Sequence, residues 1–282
     1  MIKNITLDID NKGSQINAVH PTANGDLSFK FLDNISLENV TIINGDSTLY
    51  GIHLQSVKNA IIKNYSYTGN KDGFHINGGC KNILIDGFDI SSADDAFGIM
   101  TDDYPRVQHN AKDIKNVIII NGISRKHNPQ SGFFIRLMTG SWNNWKMKNK
   151  YNIGNTVNYK NNQYKKINKG ESVSLDFPSN LHGDSLYSDG IIWRYIGKGN
   201  NITSNIYNIF VINIKIEDGR KIMRTINADN YDYGEYPGTE NSSSVNGLYV
   251  VGPSFSITRG RLGTYKLYVG RKYVANSHYF FF

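Results

Sequence analysis

Residues 59–77, NAIIKNYSYTGNKDGFHIN, lie without a gap over residues 82–100, NILIDGFDISSADDAFGIM. Both stretches open on an asparagine, run through β-branched and aromatic residues, pause at small and polar positions, and enter a second short apolar run. The 23-residue offset suits one turn of a parallel β-solenoid, whose strands stack on those of the turn below. The same opening recurs as NISLENVTI from Asn34, NVIIINGIS from Asn116, NIFVINIKI from Asn208 and, more weakly, NGLYVVGPSFSI from Asn246. The second run recurs as YGIHLQ, DGFHIN, DAFGIM and SGFFIRL. Antiparallel hairpins of a β-sandwich would not repeat both signals in one fixed order. The recurrent asparagines are structural, because their side chains satisfy turn amides and they tolerate left-handed dihedrals.

The expected fold is therefore all-β: a right-handed, single-stranded parallel β-helix with a small inserted β module. Residues 1–141 carry the first part of the helix and residues 198–282 its last coils and C-terminal strands. Residues 142–197 have a different texture, rich in Trp, Tyr, Lys and Asn, without an asparagine-anchored turn. They read as a carbohydrate-binding-like module in which Trp145, Tyr159, Tyr164 and Trp193 could offer flat faces to sugar rings, the alternative being that a module this small needs each of them for its own core.

The 282 residues are enough for a substantial core, and no apolar run approaches the ~20 residues of a membrane helix. The N-terminus lacks the basic start and continuous apolar segment of a secretory signal. One cysteine, Cys80, excludes an intrachain disulfide framework. The net charge of +7 favours polyanions. Zinc spacing, RNA-binding aromatics and a basic helix are missing, so neither nucleic acid nor membrane is expected; an acidic polysaccharide fits the charge as well, and a solvated basic surface with no specific partner is the alternative.

The alignment sets Asp72-Gly-Phe-His-Ile over Asp95-Ala-Phe-Gly-Ile. Stacked strands lie roughly 4.8 Å apart, so Asp72, Asp95 and the adjacent Asp94 converge. Three crowded carboxylates cannot all ionise cheaply, which sets a proton donor beside a base, as glycoside hydrolysis needs. Such chemistry calls for neither metal nor cofactor. Asp72 and Asp95 must then occupy the bend before the strand, since strict alternation would bury them in the core. The same alternation turns His75 outward, stacked over His53 and towards substrate. Asp102 and Asp103 in TDDYPRV read as solvated turn residues, and the tyrosine-rich residues 230–243 as a loop.

NKDGFHI followed by SADDAFGI resembles the NTD and DD signatures of the polygalacturonase-like glycoside hydrolases of the pectin-lyase-type β-helix fold. The resemblance aligns Asn70 and Asp72 with NTD, and Asp94 and Asp95 with DD. It implies that Asp94 is the general acid and that Asp72 and Asp95 activate water, with inversion at the anomeric carbon. SGFFIRL resembles the family's RIK segment, with Arg136 at the lysine position and Phe134 in place of the arginine. His127 falls in the interval of the family's GHG motif without its flanking glycines. Asn70, His75, His127 and Arg136 are thus the expected substrate contacts.

The helix, its aspartates, the aromatic insertion and the Asn- and Lys-rich composition are together similar to bacteriophage tailspike capsule depolymerases. That likeness implies a homotrimer, a virion or extracellular location, and a bacterial surface or capsular polysaccharide as substrate. The apolar end HYFFF suits a subunit contact or a truncated fragment better than a free tail. Two alternatives remain: a polysaccharide lyase on the same fold, with Arg125 or Arg136 as base and calcium held by aspartates, and a non-catalytic glycan-binding fibre or adhesin.

Overall fold

The computed structural model describes residues 1–9, 24–45, 49–101, 112–127, 132–140, 145, 150–170, 172–198, 204–217, 220–227, 245–252, 274–275 and 278–281. Asp102, Asp103 and residues 230–243 lie outside the described residues.

The described chain is all-β, with no helix and hence none long and apolar enough to cross a membrane. Ten strands precede the insertion: β1 (Ile2–Asp8), β2 (Gly25–Lys30), β3 (Asp33–Gly45), β4 (Tyr50–Gln55), β5 (Lys58–Gly69), β6 (Phe74–Asn77), β7 (Lys81–Ser92), β8 (Phe97–Met100), β9 (Ile114–Lys126) and β10 (Phe133–Thr139). Six short strands make up the insertion: β11 (Lys150–Tyr151), β12 (Thr156–Tyr159), β13 (Asn162–Lys166), β14 (Ser172–Val173), β15 (Asp184–Leu186) and β16 (Ile192–Lys198). The repeat then resumes with β17 (Ile206–Ile216), β18 (Lys221–Asn227), β19 (Val245–Gly252), β20 (Val274–Ala275) and β21 (His278–Phe281).

From β1 to β10, odd strands join a nine-stranded sheet and even strands a six-stranded one, and β17, β18 and β19 continue that alternation. Every pairing within these two sheets is parallel, an arrangement compatible with a β-helix. The inward residues of both sheets meet in one core, with Phe88, Phe97 and Phe134 packed edge to face at its centre.

Asparagine sets the bends. Asn34, Asn59, Asn82, Asn116 and Asn208 all hold φ between 56° and 63°, a left-handed region that Asn tolerates better than β-branched residues. Their side-chain amides bond one to the next up the sheet at 2.9–3.2 Å. A second ladder runs through Asn4, Asn39 and Asn64 and reaches Gly87, where a Cβ would lie 2.8 Å from Asn64 Oδ1. Glycine is required at that rung by both its φ of 79° and the close approach.

The strands of the insertion pair antiparallel and pack around a separate core of Trp145, Tyr151, Val157, Tyr164, Ile191 and Trp193.

Candidate active site

Asp72 precedes β6 and Asp94-Asp95 precede β8, so all three carboxylates fall in the bends before the strands. Phe74 pairs with Phe97, which places Asp72 one rung from Asp95. One oxygen from each of the three residues lies within 4.8 Å of the others.

Their surroundings differ sharply. Asp94 keeps 30% of its side chain exposed and faces Lys71 Nζ at 3.1 Å and Arg136 Nη2 at 3.3 Å. Asp95 is fully buried: its Oδ1 accepts the Phe133 N–H at 2.7 Å and its Oδ2 lies 2.6 Å from Arg136 Nε. Asp72, also buried, accepts the Asp95 N–H at 3.2 Å and faces His75 Nδ1 at 2.7 Å.

The electrostatics follow from these contacts. Burial, the largest single influence on Asp94, raises its pKa, but Lys71 and Arg136 together outweigh it and hold the carboxyl below its ordinary value. Burial raises Asp95 well above the ordinary value, and the neighbouring charge of Asp72 adds to that rise against the opposing pull of Arg136. An ionised, partly exposed carboxylate therefore stands beside one that resists ionisation. This polarity is the reverse of the roles implied by the resemblance, which made Asp94 the proton donor.

His75 does turn away from the core, in register with His53, yet it is buried rather than presented to a groove. Its ring stacks on Tyr50 at 3.7 Å and its Nδ1 faces Asp72 Oδ2 at 2.7 Å, so it positions a carboxylate. Gly98, one rung on, makes room for that pair: a Cβ there would lie 2.6 Å from both Asp72 Oδ2 and His75 Nδ1.

Of the other expected contacts, Arg136 joins the cluster by bridging Asp94 and Asp95. His127 lies 3.3 Å from Ser91 Oγ; burial and then the Arg220 charge push its pKa down. Asn70 is exposed at the end of β5, and its N–H contacts Gly45 O. Trp145, Tyr164 and Trp193 are buried in the module's core and offer no face to a sugar, because a unit this small has little else with which to exclude water. Only Tyr159 stays partly exposed, stacked on Phe177 at 5.0 Å.

Two residues of the site escaped the sequence reading. Lys71 carried a signal, since the 23-residue offset that pairs Asp72 with Asp95 also pairs Lys71 with Asp94. Arg220 carried none. It arrives from beyond β17, nearly buried, and its two Nη groups donate to Ser92 O, Ser92 Oγ, Arg125 O, Asp94 O and Phe133 O at 2.7–3.1 Å. Burial lowers its pKa to about 10, while Asp95, Asp72 and Asp94 act in the opposite sense. One guanidinium thus fastens the ends of β7 and β9 and the start of β10 around the aspartate turn.

The three aspartates could in principle hold a divalent cation. Lys71 and Arg136 already stand against Asp94 and Asp95, and His75 faces Asp72, so calcium would have to displace existing partners. The donor set does not fit a resident metal. No protein-family model matches the chain, and no curated protein matches it.

Proposed function

We propose that this chain is a right-handed parallel β-helix that hydrolyses an acidic bacterial surface polysaccharide at Asp72, Asp94 and Asp95. The observation that carries the reading is the opposed tuning of two adjacent carboxyls, Asp94 below and Asp95 above the ordinary value, with Asp72 alongside. Glycosidases need such a pair, one group to give a proton and one to act as base or nucleophile. Asp94 is the carboxylate that meets solvent and substrate, and Asp95 is the group that keeps a proton near it. Arg136 and Lys71 supply the positive charge that an acidic sugar would meet. The lyase alternative is weakened because Arg136 is engaged by both carboxylates and Arg125 by Asp89 at 2.6 Å, so neither is poised as a base. A trimeric tailspike on a virion is the setting that the resemblance suggests.

A second reading is favoured by burial. Asp72 and Asp95 each hold backbone N–H groups, as purely structural carboxylates do, and a glycan-binding fibre would need no more. Incubation with a panel of acidic capsular and pectic polysaccharides, reading product size and unsaturation, separates the two. Hydrolysis predicts shortened saturated products that vanish in Asp94→Ala; polymer that stays intact with the parent protein rejects the enzyme.

A further inference from the structure

At the opposite ends of the long strands from the aspartate turn, a trough of about 540 Å³ crosses β3, β5, β7 and β9. Its floor is a row of outward side chains in register: Ser36, Ile61, Leu84 and Ile118. Ile61 is 45% exposed, a large apolar side chain facing water from the middle of a sheet. The row continues onto β17 and β19 with Phe210 and Tyr249, whose rings stack at 4.7 Å and 10°.

The first asparagine ladder forms one side of the trough. Asn59, Asn82 and Asn116 each use one N–H and the amide oxygen within the ladder. Among the described residues their second N–H meets no protein acceptor, which leaves one donor per rung. One position before these asparagines stand Lys58, Lys81 and Lys115, exposed and also in register. Lys58 and Lys115 approach Asp33 and Asp113 at 3.7 and 3.1 Å, but exposed pairs of this kind are weak and yield readily to another anion.

We propose that this trough binds a linear acidic polysaccharide lying across the strands, along the stacking direction. Apolar side chains repeat every ~4.8 Å, close to the length one extended sugar unit spans, so successive ring faces can rest on successive rungs. The amides can donate to hydroxyls and the lysines meet the carboxylates. The four rungs from Asn34 to Asn116 cover ~14 Å, about three sugar units, and Phe210 and Tyr249 extend the track. A single-stranded nucleic acid would seek stacking rings at every base, whereas the floor from Ile61 to Ile118 is aliphatic. The site goes beyond the cleavage reading, since it can hold polymer whether or not the aspartates cut it.

The test is calorimetric titration of the full chain with a homogeneous hexuronate hexamer and with a neutral glucan hexamer. Binding of the acidic oligomer is expected to weaken with salt and to fall at least tenfold in Lys58→Glu/Lys81→Glu/Lys115→Glu and severalfold in Ile61→Gln. All four altered positions are exposed, and circular dichroism checks folding. Three titration results overturn the proposal: affinity untouched by these changes, equal affinity for the neutral oligomer, or equal competition by oligothymidylate. Self-association abolished by Ile61→Gln also overturns it and makes the face a contact between copies. Cleavage assayed on the same variants keeps the two readings apart: cleavage without trough binding sinks this inference alone, and binding without cleavage sinks only the hydrolase.

Discussion

Gly98→Ala is the sharpest probe of the aspartate cluster, because the change adds a single methyl group at a position that faces away from the core. The new Cβ would lie 2.6 Å from Asp72 Oδ2, 2.6 Å from His75 Nδ1 and 3.0 Å from His75 Cε1. Neither neighbour can step aside easily. His75 is stacked on Tyr50 at 3.7 Å, Asp72 is tethered to the Asp95 N–H at 3.2 Å, and both residues are buried. Overpacking of this kind costs about 1–3 kcal/mol. Parting the buried Asp72–His75 pair would add roughly 1.5–3 kcal/mol, the range for hydrogen bonds to charged groups. Urea denaturation should therefore show a loss of at least about 2 kcal/mol, with the m-value unchanged. The His75 ring signals in a ¹H–¹⁵N spectrum should shift while those of His182, in the insertion, stay in place. A loss below about 0.5 kcal/mol, within the range of innocuous surface changes, with unmoved His75 signals would refute the packing described here.

Arg220→Met should cost at least about 3 kcal/mol, since it orphans the oxygens that one buried guanidinium now satisfies. Arg220→Lys should recover little, because an ammonium lacks the planar fork; parental stability of either variant in urea would exclude the clamp. The two tuned carboxyls predict opposite pH slopes. Asp95, raised, contributes stability that is fully present below the ordinary carboxylate pKa of ~3.9 and is lost as pH climbs through its folded value. Asp94, lowered, contributes stability that is present above ~3.9 and is lost as pH falls through its folded value. Denaturation across pH should show the upper slope flattened in Asp95→Asn and the acid slope flattened in Asp94→Asn; unchanged slopes would contradict the assignments. Burial pushes the Cys80 thiol up to about 12, so a thiol reagent at neutral pH should label it only when the chain is unfolded, and rapid labelling of native protein would place it elsewhere.

Much of this molecule was legible as a string. Residues one turn apart in a parallel sheet are neighbours by periodicity alone, so the 23-residue offset was enough to bring Asp72 to Asp95 and to put the asparagines in a ladder. The same alignment sets Gly98 over His75, but the close approach that requires a glycine there was decided by the structure. Exposure was not legible. Alternation sends His75 away from the core but does not reveal that Tyr50 covers it, and aromatic content does not say which rings of the insertion pack together and which, like Tyr159, stay at the surface.

The amino-acid sequence by itself determined the strand repeat, the asparagine bends and the meeting of three carboxylates, because all of these are set by spacing along one chain. Only the tertiary structure decided which carboxylate faces water, which resists its charge, and that Arg220 reaches back across 126 residues to hold the Asp94 carbonyl. Those outcomes depend on desolvation and on partners brought in after a long insertion, and neither quantity has a period that a sequence can display.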